Sequence, residues 1–164
     1  LAQSLGVRLV GVSSLWALAL GAREATEGAG NGGMVGTVEA GRLGRVLAVI
    51  DARRGEVFVA AYDGGVEVLA PHAVPPDGLD EMLQGVATRT SVDGWTAVGD
   101  GAVLYRDAFE RLGVLVPGAR SELHRIHARA ICKLGERALA SDAAVVPDYR
   151  RRPDAEIALE GSAS

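Results

Sequence analysis

The chain has a single cysteine, Cys132, among its 164 residues. One thiol forms no internal disulfide and cannot build a cysteine-rich zinc site. Such sparing use of cysteine suits a reducing cytoplasm. Aromatic residues make up only 4% of the chain, so Ala, Val and Leu have to fill the interior. Positive charge is also short: 17 Lys and Arg face 21 Asp and Glu, for a formal net charge of -4. That argues against wholesale wrapping by nucleic acid, which calls for a strongly basic surface, and leaves room for a local basic patch. No run approaches the ~18 apolar residues of a membrane-spanning helix. No basic and apolar leader reads as a signal peptide, and no internal repeat is found.

What is present supports a core and a well-hydrated surface: 48% of residues are hydrophobic and 23% charged, in a length that suits one domain. The chain begins at Leu1 rather than Met. Residues 1–6 read as the last turns of a helix stopped by Gly6, which leads to the expectation of a fragment lacking an upstream segment. The apolar run 7–12, with Arg8 as its only charge, predicts a strand. Ser14 is the expected N-cap of a helix over 15–22, with Leu15, Leu18 and Ala19 on one face. Gly28, Gly30, Gly32, Gly33, Gly36, Gly41 and Gly44 crowd the segment 25–45. Ordering so much glycine costs backbone entropy, so this segment reads as a flexible loop with a short strand near 34–38.

The clearest signal is the continuous apolar strand 46–51, followed by a turn at 52–55 and a second strand at 56–62. In that second strand Val57, Val59 and Ala61 point one way, and Phe58, Ala60 and Tyr62 the other. Both faces are apolar, which predicts a sheet covered on both sides. A tight turn at Asp63-Gly64-Gly65 leads to a third strand at 66–69, completing an antiparallel meander. Pro71, Pro75 and Pro76 mark a connection to a short helix near 79–83. A strand at 96–98 ends at Gly99-Asp100-Gly101. A helix over 103–112 is expected to align Leu104, Ala108 and Leu112. A strand at 114–116 stops at Pro117. A long helix is expected within 121–140, with Ile131, Leu134 and Ala138 at helical spacing. The end, 145–153, is an extended arm with a basic run. The fold class is therefore α/β: a three-strand antiparallel meander in a mixed sheet with flanking helices. That is the plan of a ribonuclease-H-like domain, among other α/β arrangements.

Candidate sites were weighed against plainer roles. The three spaced glycines within 28–33 match a dinucleotide-binding pattern, but that pattern needs a strand before it and a helix after it. Here a helix precedes, and 34–38 does not look helical, so the loop reading is preferred. Gly99-Asp100-Gly101 stands where helix amides could hold an anion, yet Asp100 would repel a phosphate and a tight glycine turn suffices. His124, His127 and Cys132 form a weak trio without a fourth ligand. Solvated histidines and a buried cysteine are expected instead, and His72 is isolated. Ser13 and Ser14 lack the glycines of a nucleophile elbow. Asp51, Arg53, Arg54 and Glu56 cluster at a hairpin turn. Asp51 ends an apolar strand, where a nuclease would gather carboxylates for two metal ions, but convincing partners are missing and a surface ion-pair turn is preferred. Arg150, Arg151 and Arg152 could touch tRNA phosphates, or form a solvated arm balanced by Asp148, Asp154 and Glu156.

Several blocks resemble the TsaB (YeaZ) family. Val49-Ile50-Asp51-Ala52-Arg53-Arg54-Gly55-Glu56-Val57-Phe58, continuing through Ala60-Ala61-Tyr62, is similar to the family's most recognisable motif. Residues 10–19 resemble the segment that follows its amino-terminal lobe, and 97–102 its later strand and turn. Pro147-Asp148-Tyr149-Arg150-Arg151-Arg152-Pro153-Asp154-Ala155 resembles its carboxy-terminal arm. The family's opening strand with its aspartate, and the Gly-Pro-Gly-Ser-rich segment after it, have no counterpart. The glycine loop is longer than usual.

The resemblance implies the second, ribonuclease-H-like lobe of an actin-like ATPase fold. It divides the chain into the end of a first lobe with a connecting strand and helix (1–24), a glycine-rich loop (25–45), the second lobe (46–146), and an arm and tail (147–164). It also implies a non-catalytic scaffold or activator in the machinery that makes threonylcarbamoyladenosine beside the tRNA anticodon. The partners would be the catalytic paralogue TsaD, met mainly through the absent first lobe, and the P-loop ATPase TsaE. Contact with tRNA would be indirect or weak, with no membrane association and no cofactor. Under that resemblance Asp51, Arg53, Gly55, Glu56, Gly99, Gly101, Pro147, Tyr149 and Arg151 serve structure or interaction, with no catalytic or metal-binding residue. The alternatives are a divergent metal-dependent nuclease or phosphotransferase using Asp51 and Asp100, or a truncated chain without function.

Overall fold

The computed structural model describes residues 6–28, 34–35, 38–39, 43–87, 94–138 and 145. Its elements are helix α1 (Ser14–Gly28), strands β1 (Met34–Val35), β2 (Val38–Glu39), β3 (Arg45–Arg53), β4 (Glu56–Asp63) and β5 (Val66–Val74), helix α2 (Leu79–Ala87), strand β6 (Trp95–Val98), and helices α3 (Asp100–Leu104), α4 (Arg106–Arg111) and α5 (Ala128–Ala138). Strands β3, β4 and β5 form the expected meander, and β6 joins the other side of β3 in parallel, giving the order β5-β4-β3-β6. Leu115 adds a parallel bridge to Thr96 beyond β6. Strands β1 and β2 make a separate antiparallel pair.

The period-two alternation of β4 decides the layering. Val57, Val59 and Ala61 are fully buried in one cluster with Leu47, Val49, Trp95 and Phe109, beneath the apolar stripe Leu79, Leu83 and Val86 of α2. Ala60 and Tyr62 are buried on the opposite face with Leu15, Leu18 and Ala22 of α1, and half-buried Phe58 packs there as well. Both faces are thus covered, as two apolar faces on one strand require. Helix α5 packs outside α1 through Ala17, Ala130 and Leu134. Lys133 of α5 also meets Glu24 of α1 in an ion pair.

Several expectations are corrected. Residues 7–12 join no strand, and Val7 and Leu9 are exposed, because no described strand lies beside them to complete a ladder. The cap of α1 is Ser13, not Ser14: its Oγ accepts from the Trp16 amide at 3.3 Å and its carbonyl from the Ala17 amide at 2.9 Å. The helix also continues past residue 22 to Gly28, into the expected loop. Strand β5 does not stop before Pro71 but runs through it to Val74. It is the edge of its sheet, where a missing amide is tolerated, and its register with β4 shifts there.

The expected helix 103–112 is two short helices that meet at Tyr105 (φ -110°, ψ 31°). The break turns Leu104 outward, to 60% exposure, and leaves Phe109 as the buried anchor. The long helix of 121–140 is a 3₁₀ turn at Glu122–His124 followed by α5. Leu134 is buried, whereas Ile131 is 43% exposed. His124 and His127 therefore both precede α5 and share no face of it. Cys132, expected inside, is exposed.

Candidate functional site

The parallel pairing of β3 with β6 brings two distant turns to one edge of the sheet. Ala48 is level with Val98, so the chain reaches Asp51 on one strand and Asp100 just beyond the other. Asp100 Oδ1 accepts the Asp51 amide at 3.0 Å and the Gly101 amide at 2.9 Å. The Asp100 carboxylate thus ties the start of α3 to the end of β3. Asp51 turns its own carboxylate to the hairpin: Oδ1 accepts the Arg53 amide at 2.8 Å, and Oδ2 lies 3.4 Å from Arg53 Nη1.

The two glycines are dictated by this close approach. Gly99 has φ 113°, and a Cβ there would lie 2.0 Å from the Val49 carbonyl oxygen. A Cβ on Gly101 would meet Val49 Cγ1 at 2.9 Å and the backbone of Ile50 and Asp51 at 3.0–3.1 Å. Glycine is required because α3 lies directly on β3. The Gly99 amide donates to His124 Nδ1 at 3.1 Å. That bond makes Nδ1 the acceptor and places the ring proton on Nε2, which donates to the Pro117 carbonyl at 3.1 Å. The same carbonyl accepts from Arg106 Nη2, while Arg106 Nη1 donates to the Val116 carbonyl at 2.7 Å. Residues 116 and 117 are thereby held from two sides.

At the β3–β4 turn Arg53 pairs across with Glu56, and the register shifts between Asp51 and Arg53. Gly55 has φ 80° and open space around it. Asp51, Arg53, Gly55 and Glu56 therefore gather at one hairpin end, with Gly99 and Gly101 beside them through Asp100. Pro147, Tyr149 and Arg151 lie outside the described residues, as do Arg150 and Arg152. Of the glycine pattern 28–33, helix α1 precedes it and β1 follows, which is not the strand-then-helix setting of a dinucleotide site. Among the described residues, no group of three His, Cys, Asp or Glu is placed to hold a metal ion. His127 Nε2 lies 3.2 Å from the Glu122 carbonyl.

Sequence reasoning missed the bridging role of His124. It is 25 residues from its partner Gly99, and a local pattern carries no sign of such a bond. It also missed the stack of Trp16 on Tyr62, with ring centroids 6.2 Å apart and planes at 19°. Tyr62 Oη is buried without a hydrogen-bond partner of ordinary geometry. Burial first, and then the charge of Glu67, push its phenol up to about 12, with the nearby Ser13 hydroxyl opposing the rise. No described helix is long and apolar enough to cross a membrane.

Comparison with models of known families gives no match, and neither does comparison with curated proteins. Among solved structures, the chain is similar to a crystal structure from Pseudomonas aeruginosa of an uncharacterized protein with similarity to the peptidase YeaZ. The two share 25% sequence identity with a TM-score of 0.53, over 92% of this chain. The chain spans 62% of the length of that neighbour. The four-stranded mixed sheet with flanking helices agrees with a YeaZ-like fold.

Proposed function

We propose that this chain is a scaffold or activator subunit of the machinery that makes threonylcarbamoyladenosine in tRNA, paired with a TsaD-type transferase. The observation that carries this reading is the likeness to a YeaZ-similar structure over nearly the whole chain. It joins the hairpin motif at 49–58, whose residues the fold gathers at one end of the sheet. The meander with β6 parallel to β3 fits the ribonuclease-H-like lobe of the actin-like ATPases. The use of the two acids favours a supporting role over chemistry: Asp100 ties α3 to β3, and Asp51 holds the hairpin turn. A catalytic metal centre would instead need carboxylates converging on a shared point.

Co-purification of the full-length protein with the TsaD-type paralogue of the same genome tests the reading. A stable complex is expected, and failure to form one overturns it. Calorimetric titration with magnesium or manganese tests the opposing enzyme reading. Tight binding that Asp51→Asn abolishes would favour a nuclease or phosphotransferase instead.

A further inference from the structure

The β3–β4 turn carries two consecutive arginines in the left-handed region, Arg53 at φ 64° and Arg54 at φ 55°, followed by Gly55 at φ 80°. No other non-glycine residue among those described has a positive φ. Asn and Gly are the residues that such turns favour, because a long side chain is strained there. Strain of this kind collects where a protein uses a residue for something other than folding.

The turn is also buttressed. The Asp51 side chain, only 17% exposed, holds the Arg53 amide and stands beside its guanidinium. The Arg53 side chain itself is 84% exposed, Arg54 is exposed, and the space around Gly55 is open. Two guanidinium groups are thus carried outward on a rigid tip at a cost in backbone strain.

We propose that this tip is a carboxylate-binding finger that engages an acidic surface of a partner protein. Guanidinium forks match carboxylates in a bidentate manner, and arginine is enriched at protein interfaces. Phosphate has similar geometry, but a nucleic-acid strand brings a continuous line of charge. Asp51, Glu56 and Asp100 lie at the same end of the sheet, and the chain as a whole carries -4. A polyanion would be repelled there, whereas isolated carboxylates can meet two arginines one to one. The inference stands on the turn geometry and does not require the tRNA-modification reading.

The test compares the wild-type chain with the R53N/R54G double variant, both labelled with ¹⁵N. Each is titrated separately with a hexaglutamate peptide and with hexauridylate, in low salt. The peptide is expected to give saturable shifts at Arg53 and Arg54, with affinity at least about tenfold weaker in the variant. The variant is expected to melt higher by about 2 °C or more, since Asn and Gly accept the left-handed backbone. Absence of saturable shifts at the turn, equal affinity in the variant, or tighter binding of the nucleotide would each overturn the proposal. So would a variant that melts lower, because the arginines would then serve the fold itself.

Discussion

The carboxylate of Asp100 accepts the backbone amide of Asp51 at 3.0 Å, joining two residues 49 positions apart in the chain. The same oxygen holds the Gly101 amide. Asp100→Ala leaves both amides without this acceptor. Because the site is solvent-exposed, water compensates in part, and a loss of about 1 kcal/mol is expected in urea denaturation. Asp100→Asn keeps an acceptor oxygen and should lose less.

Gly99→Ala should be far more damaging than Gly101→Ala. At Gly99 the added carbon would sit 2.0 Å from a backbone carbonyl oxygen on an already left-handed residue. Backbone cannot step aside cheaply, so a loss of about 3 kcal/mol or more is expected, seen as a failure to accumulate soluble protein. At Gly101 the contacts are 2.9–3.1 Å, and about 1–3 kcal/mol is expected from thermal melts.

Stability should depend on pH at the alkaline end through Tyr62. Its phenol is raised from 10.0 to about 12, so the native state holds the proton more tightly than the unfolded chain does. The resulting stabilisation is complete below pH 10 and is lost as pH rises through about 12. Urea melts from pH 9 to 11.5 should show the decline beginning above pH 10, and Tyr62→Phe should remove this part of it. The buried hydroxyl has no partner of ordinary geometry, so the phenylalanine variant at pH 7 should match the wild type or exceed it by up to about 1 kcal/mol.

Cys132 should react with Ellman's reagent in the native state at close to the rate of the unfolded chain, since it is exposed on α5. Protection of more than about a hundredfold would mean that opening must precede reaction, and would contradict the exposed placement.

His124→Ala removes the acceptor of the partly buried Gly99 amide and the donor to the Pro117 carbonyl. A loss of about 1–3 kcal/mol is expected in urea denaturation. Amide exchange should quicken at Gly99 ahead of the β4 core, because the bond secures that turn alone.

The amino-acid sequence by itself determined whatever rests on local periodicity. The alternation of Val57, Val59 and Ala61 with Phe58, Ala60 and Tyr62 fixes two buried faces, since successive strand side chains point oppositely wherever the strand lies. The turns at Arg54-Gly55 and Gly64-Gly65, and the α2 stripe Leu79, Leu83 and Val86, follow from equally short-range rules. Tertiary structure decided what depends on neighbours. Residues 7–12 have strand composition, but a strand needs a partner for its amides, and none is described beside them. Pro71 could stay within β5 only because that strand is an edge. Leu104 and Ile131 have helical spacing and still face outward, since only the packing of each helix selects its buried side. The joining of Asp51, Asp100, Gly99 and His124 required β6 to settle parallel to β3, a choice of sheet order made by the whole core and by no single segment of the chain.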